Sequence, residues 1–427
     1  MKTIEMKKLL PLLLLLAVLL AGCGMSAFSE SAASAAPVAT AAPTATPEPT
    51  PEPTPEPTPV PILHFPSGAE AAADAESLDL SGLTAAQVPE TLALLAQMTA
   101  LRQVELGTER EDGPSWADIR AMEDAAPEAG FSYAFTLYGR PFTLMDEEMD
   151  LNHISIHDEG APLVREVIAC MPHLRWLCMD SCKVSNEVMA GIRADFPQVE
   201  VVWRIWFGLA YSVRTDVEKI LASQSSIGGN LRGEELNEVL IYCTKLRFLD
   251  LGHNWEVRDI SFVSSMPELE VLILSMNYLE DITPLADCKH LEYLELFCTD
   301  ITDLSPLSEL HELKHLNLGI CQKLADITPL YGLELERLYI GCQTLVPQEQ
   351  MDEYARLHPD CELDDYHEDT ILCEWRYTDA YDKDPDYMAT DYYREGLAPR
   401  YALLRKQFGY HSQNNSDYAF YWLDPNY

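Results

Sequence analysis

Apolar residues follow one short pattern repeatedly between positions 246 and 342. Leucine opens each copy, at positions 246, 269, 291, 313 and 335, so successive copies are 22 or 23 residues apart. A fixed period of this length is typical of a solenoid, in which each unit packs only on its neighbours. The pattern therefore predicts a stacked, repetitive domain.

Each copy has the order Leu-x-x-Leu-x-Leu-x-x-Asn-x-Leu, with Thr or Cys replacing Asn in some copies. Alternating leucines predict a short strand with its leucines facing the core. The Asn position holds Asn254, Asn277, Thr299 and Cys321, whose side chains can hydrogen-bond buried backbone where the chain leaves the strand. An Asp-x-Ser/Thr-Pro-Leu segment follows in three copies and predicts a turn or helix start.

These residues resemble the leucine-rich repeat family, in the 22-residue form of bacterial internalins. The resemblance covers residues 246–345. It implies an α/β solenoid, a horseshoe with a parallel β-sheet on its concave side. It also implies a protein partner, without identifying that partner.

Residues 66–245 repeat more loosely. Segment 101–106 matches 174–179 and the stretch from Leu246, at separations of 73 and 72 residues. These matches predict longer, irregular leucine-rich repeats built from strand-plus-helix units. Between 209 and 246 the pattern breaks, and the sequence leaves the unit boundaries there open. After 345 the repeat ends, and the Tyr- and Trp-rich residues 346–427 are predicted to form a C-terminal cap over the exposed end of the core.

The first 23 residues have the features of a bacterial lipoprotein signal. Lysines precede an apolar run from Leu9 to Leu20, which is too short to span a bilayer and is typical of a secretory signal. Leu20-Ala-Gly-Cys23 resembles the lipobox, which implies cleavage before Cys23 and a diacylglycerol on its thiol. We therefore expect a lipid anchor on the cell membrane, with the protein facing outward. A retained membrane helix is the less favoured alternative.

Residues 24–65 are rich in Ala, Ser, Thr and Pro and end in repeated Pro-Glu-Pro-Thr. Such a composition has little to bury and favours extended polyproline II. The sequence predicts a disordered stalk between the anchor and the folded domain. A proline-rich ligand for an SH3-like domain is the less favoured interpretation.

The charge balance excludes polyanionic partners, namely nucleic acid and anionic lipid surfaces. With 29 basic and 69 acidic residues, the formal net charge is −40. Binding to nucleic acid or to anionic lipid requires clusters of Lys and Arg, which the sequence lacks. We expect neither.

Motifs for catalysis, cofactors and metals are absent or incomplete. The sequence contains no phosphate-binding Gly-rich loop, nucleophile elbow or paired-cysteine zinc motif. Residues 382–386 alternate like a calcium loop, but Tyr387 stands where an EF-hand needs Gly. The pairs His153/His157 and His311/His315 are expected to be surface residues. We therefore predict no catalytic residue, no metal site and no cofactor.

Ten cysteines remain besides Cys23. Cys182 and Cys321 occupy the turn position, and Cys243 and Cys288 occupy an aliphatic position, so we expect buried core thiols. Cys298 with Cys321, and Cys361 with Cys373, are possible pairs that the sequence does not settle.

Three function classes remain. Protein–protein interaction is favoured because of the resemblance. Carbohydrate or cell-wall binding is the alternative, since aromatic faces can stack on sugars. An enzyme that uses the acidic residues of the cap is the least favoured, and we predict that the chain is not an enzyme. The aromatic residues that motivate the alternative are Trp375, Tyr377, Tyr381, Tyr392, Tyr393, Tyr421 and Trp422.

The strand pattern also selects a binding surface. Residues between the leucines must point away from the core, onto the concave sheet, and their aromatic content predicts an exposed interaction patch. Strand propensity alone is the plainer explanation. We expect Tyr293, Phe297 and Tyr339 to be anchors. The predicted partner-binding residues are Trp176, Phe248, Asp250, Val271, Ile273, Tyr293, Glu295, Phe297, His315, Arg337 and Tyr339.

Overall fold

The computed structural model describes residues 59–208, 211–223, 231–366 and Trp375. The predicted signal peptide with Cys23 and nearly all of the predicted stalk lie outside these residues. Among the residues described, no helix is long and apolar enough to cross a membrane. The described residues from Val60 onward form a single compact unit.

The fold begins with a hairpin and a four-stranded sheet. The hairpin pairs β1 with β2, and the sheet has the order β3-β4-β5-β6, in which β3 to β5 are parallel and β6 is antiparallel. Ser115 caps the second helix, because its hydroxyl accepts from the Asp118 amide while Asp118 Oδ2 accepts from the Ser115 amide. The elements are β1 (Ile62–His64), β2 (Glu70–Ala72), β3 (Ser77–Asp79), α1 (Val88–Leu95), β4 (Gln103–Thr108), α2 (Trp116–Ala125), β5 (Gly130–Leu137) and β6 (Arg140–Thr143).

A second unit repeats this arrangement. Three parallel strands, β7, β8 and β9, alternate with two helices, and a hairpin of β10 and β11 follows. The elements are β7 (Glu148–Asp150), α3 (His157–Ile168), β8 (Trp176–Cys178), α4 (Asn186–Asp195), β9 (Glu200–Val202), β10 (Arg204–Phe207) and β11 (Tyr211–Arg214).

The remaining strands form one parallel sheet of seven, in chain order. Short 3-10 helices connect its central strands, at Ser261–Ser265, Thr283–Asp287, Ser305–Leu307 and Thr328–Gly332. The elements are β12 (Lys219–Leu221), α5 (Gly233–Val239), β13 (Phe248–Asp250), β14 (Val271–Ile273), β15 (Tyr293–Glu295), β16 (His315–Asn317), β17 (Arg337–Tyr339), α6 (Gln348–Leu357) and β18 (Glu362–Asp364).

The long units start in the same way three times. A hairpin ends five residues before a parallel strand at Ser77, Glu148 and Lys219, so these strand starts are 71 residues apart. The carbonyl just before each strand accepts two amides from the next strand: Glu76 from Arg102 and Gln103, Glu147 from Arg175 and Trp176, and Glu218 from Arg247 and Phe248. The third unit, whose start the sequence left open, therefore begins its parallel strand at Lys219.

A ladder of polar side chains makes hydrogen bonds to buried backbone groups inside the solenoid. Asn254 is fully buried; its Nδ2 donates to the carbonyls of Ala222 (2.8 Å) and Leu251 (2.9 Å), and its Oδ1 accepts from the Leu231 amide (3.0 Å). One turn later, Asn277 Nδ2 donates to the Leu251 carbonyl at 3.2 Å, while its Oδ1 has no partner among the described residues. The role predicted for this position is confirmed.

The predicted core thiols are also confirmed. Cys182, Cys243, Cys288 and Cys321 are buried, and the nine cysteines within the described residues are all free thiols. Burial raises the pKa of Cys243 and of Cys288 to about 12, so both stay protonated and unreactive near neutral pH. Cys298 and Cys321 are not joined, and Cys373 lies outside the described residues.

Replacing Asn254 with Ala should destabilise the protein by about 2 kcal/mol more than replacing Asn277 with Ala, because Asn254→Ala leaves more buried backbone groups unpaired. Denaturant unfolding of the two variants measures this difference. Equal losses would show that the extra hydrogen bonds of Asn254 carry no stability.

Glu123 on α2 should make stability depend on pH. Burial raises the pKa of Glu123 from 4.5 to about 7, so the folded state holds a proton that the unfolded chain releases. Its contribution is present below about pH 4.5 and is lost as pH rises from there to about 7. Glu123→Gln should therefore raise the melting temperature at pH 8, with a gain that shrinks toward pH 5. A gain independent of pH would contradict this assignment.

Candidate functional site on the concave sheet

The register of the seven-stranded sheet arranges its outward side chains in two rows. Between these rows lie Leu249, Leu272, Leu294, Leu316 and Leu338, which point into the core because side chains alternate along a strand. One row holds Lys219, Phe248, Val271, Tyr293, His315, Arg337 and Glu362, and the other holds Leu221, Asp250, Ile273, Glu295, Asn317, Tyr339 and Asp364.

The prediction that this face is exposed is wrong. None of the predicted residues is fully exposed. The most accessible of them, Trp176, Phe297 and Arg337, are half-buried. Of the three predicted anchors, Tyr293 and Tyr339 are buried. Alternation in a strand shows which face a side chain points to, but it does not show whether another segment covers that face. The predicted residues that are buried are Phe248, Asp250, Val271, Ile273, Tyr293, Glu295, His315 and Tyr339.

Trp375 is one residue that covers this face. Its side chain is 2% exposed, and its ring centroid lies 5.7 Å from that of Tyr293 and 6.4 Å from that of His315. The Arg337 guanidinium lies 5.1 Å from the centre of the indole ring, within the range of a cation–π interaction. Arg337 Nη1 also donates to the Trp375 carbonyl at 3.3 Å. The sheet therefore contacts both the ring and the backbone carbonyl of Trp375.

The carboxyl group of Glu295 lies at the centre of this contact and is 1% exposed. Oε1 accepts from the Trp375 indole N–H at 3.0 Å and from the Tyr293 hydroxyl at 2.5 Å, and Oε2 accepts from the Ser275 hydroxyl at 2.9 Å. A carboxylate is costly to bury unless donors replace its water. Three donors meet that requirement here.

Tyr339 fits the sheet because residue 319 is glycine. A Cβ at Gly319 would overlap the ring of Tyr339, so any larger residue would displace that ring.

The other part of the concave side is open. In β3, β4 and β7, the outward residues Asp79, Glu105, Glu148 and Asp150 are exposed. A cavity of 580 Å³ lies over β3 and β4, and its lining includes Asp79, Glu105 and Met145. Trp176 on β8 lies between Glu148 on β7 and Glu200 on β9 in the strand register. The open face is therefore acidic beside one half-buried aromatic ring, and the Arg214 guanidinium lies 5.9 Å from the centre of that ring.

Arginines hold this open part together. Arg140 on β6 pairs with Asp150 on β7 at 3.0 Å and so links the first two sheets. Arg204 on β10 makes two hydrogen bonds, of 2.8 and 2.9 Å, to the buried carboxylate of Asp180. Burial acts to raise the pKa of Asp180, but the hydrogen bonds and charge of Arg204 outweigh it, so this pKa is lowered. The hairpin is thereby fixed beside Trp176.

A family model described as "Leucine Rich repeats (2 copies)" matches residues 244–287 and 289–332. The protein contains a leucine-rich repeat domain. The predicted family resemblance and the α/β solenoid with a parallel sheet are thus confirmed. The predicted stalk and cap remain predictions, but the predicted end of the stalk is too late, because Ile62–His64 forms β1 and Leu63 and Phe65 are buried.

Two of the solved structures similar to this leucine-rich repeat protein come from the bacteria Listeria monocytogenes and Leptospira interrogans. The internalin InlF of Listeria monocytogenes is 19% identical, with 64% of each chain covered and a TM-score of 0.32. The leucine-rich repeat protein LIC12759 of Leptospira interrogans is 15% identical, over 64% of this chain and 74% of that one, with a TM-score of 0.32. The protein thus spans less than two thirds of the length of InlF. The search of curated proteins found no match.

Of the aromatic residues proposed to stack on sugars, only Trp375 lies within the described residues. Trp375 is buried against the sheet, so its ring is not presented to solvent for stacking on a sugar. The six others, from Tyr377 to Trp422, lie outside the described residues, as does the calcium-like segment 382–386. Carbohydrate binding by the leucine-rich repeat protein stays a prediction.

The predictions for histidine are mixed. His153, His157 and His311 are exposed, but His315, predicted to be on the surface, is 6% exposed beneath Trp375. No cluster of His, Cys, Asp and Glu within the described ranges could hold a metal ion. Sequence reasoning missed the pairing of Glu295 with Trp375, since 80 residues separate them.

Proposed function

We propose that the protein is a lipid-anchored, cell-surface interaction protein whose leucine-rich repeat domain binds a protein partner through the open part of its concave side. Repeat domains of this kind typically act as interaction modules rather than as enzymes. The observation that carries the proposal is the contrast along the concave side: β13 to β17 are covered, whereas β3, β4, β7 and β8 present side chains to solvent.

The chemistry of the open part indicates the kind of partner. Asp79, Glu105, Glu148 and Asp150 make it acidic, and the whole chain carries a formal net charge of −40. Opposite charge speeds association and favours correct pairing. Trp176 supplies an aromatic anchor at the edge of this acidic surface, and aromatic anchors carry much of the affinity at interfaces. The proposed partner therefore presents basic residues around an apolar contact.

Trp176→Ala should weaken capture of a partner at least tenfold, or about 1.4 kcal/mol. Partners are first captured from the extracellular proteome on the immobilised wild-type protein, and their affinities are then measured by surface plasmon resonance. Tyr278→Ala is the matched control, because Tyr278 is an exposed aromatic outside the β-strands. Unchanged affinity of Trp176→Ala would show that the surface assignment is wrong, and the control should bind like the wild type. Binding should also weaken as salt is added, since the surface is acidic.

The anchor has its own test. Cys23→Ala should abolish metabolic labelling with an acyl-chain probe and release the protein from the membrane fraction, because the thiol is the proposed attachment point. Continued labelling of this variant would rule out Cys23 as the lipid site, independently of partner binding.

A further inference from the structure

We propose that the concave face of β15 to β17 is a binding site for a tryptophan-bearing peptide segment, and that the chain's own Trp375 occupies it as an exchangeable ligand. This inference does not depend on the proposed partner or on the membrane anchor.

The first support is the way the site recognises tryptophan. Glu295 accepts the indole N–H, Tyr293 and His315 contact the ring, and Arg337 contacts both the ring and the carbonyl of Trp375. A phenylalanine would lack the N–H, and an isolated indole would lack the carbonyl. The contacts together specify a tryptophan within a polypeptide.

The second support is the polarity of the covered face. The inward positions of β15 to β17 are the aliphatic residues Leu294, Leu316 and Leu338, whereas the buried outward positions of β15 and β16 include Glu295, His315 and Asn317. A permanently buried face would be as stable, or more so, with apolar residues, because buried charges repay their desolvation poorly. Interfaces that form and separate are more polar than permanent ones. The polar residues are thus suited to a face that is at times open to water.

The third support is that Trp375 belongs to the same chain as the site it occupies. A ligand held on the same chain has a high effective concentration, so it excludes a free competitor unless it is removed. Any external segment that uses this half of the concave side must therefore displace Trp375. The chain thereby regulates access to its own site.

A trans-binding experiment tests this inference. The probe is a fluorescent peptide of residues 371–379, with serine at the position of Cys373. Its matched control peptide has alanine at the position of Trp375. The receptors are the full chain and its Trp375→Ala variant, with fluorescence anisotropy as the measurement. We expect saturable binding to Trp375→Ala, at least tenfold weaker binding to the wild type, and at least tenfold weaker binding of the alanine peptide to the variant.

A second receptor variant tests whether Glu295 accepts the indole N–H of the peptide. Adding Glu295→Leu to Trp375→Ala should lower peptide affinity at least tenfold, because the indole N–H loses its acceptor. Absence of peptide binding to a Trp375→Ala variant that unfolds at the wild-type temperature would overturn the proposal. Equal binding to the wild type and the variant would also overturn it.

A measurement on the wild type covers the case in which Trp375→Ala does not fold. Hydrogen exchange of the Trp375 indole N–H, assigned with Trp375→Phe, reports how often this contact opens. We expect the indole to exchange at least a hundredfold faster than the slowest core amides. Exchange at the rate of global unfolding would make Trp375 a permanent core residue and would overturn the proposal.

Discussion

A three-residue strand cannot bury its own leucine, and this constraint governs the whole domain. Leu272, Leu294 and Leu316 are fully buried only because each strand pairs in parallel with the next at a fixed register. Apolar burial contributes about 25 cal/mol per Å², so the stack gains stability with every unit added. Every other feature must leave the spacing between successive strands unchanged.

The polar ladder satisfies that condition. Each turn brings buried carbonyls together where the chain leaves the strand, and Asn254, Thr299 and Cys321 each donate to such a carbonyl. Three different side chains serve because each is small and carries a donor at about the same reach. The hydrogen bonds to these carbonyls keep each turn compact. A period of 22 or 23 residues can therefore recur without gaps in the core.

The concave side has two parts with different chemistry. Over β3, β4 and β7, the outward carboxylates are exposed to solvent, and Asp150 also pairs with Arg140. On β15, the Glu295 carboxyl group is buried and depends on hydroxyl and indole donors from Ser275, Tyr293 and Trp375. The same strand geometry thus supports an open acidic surface at one end and a specific recognition site at the other. The difference arises from what lies over the sheet.

The sequence by itself determined the repeat, the strand of each repeat, the inward leucines and the buried turn position, because these depend on spacing along the chain. It identified the outward face of residues such as Tyr293 and Tyr339 for the same reason. It did not determine that this face is covered, since that depends on contacts such as that of Glu295 with Trp375, across 80 residues. Tertiary structure also decided where the third long unit begins. Lys219 pairs beside Phe248 through backbone hydrogen bonds, which leave no mark in the pattern of side chains.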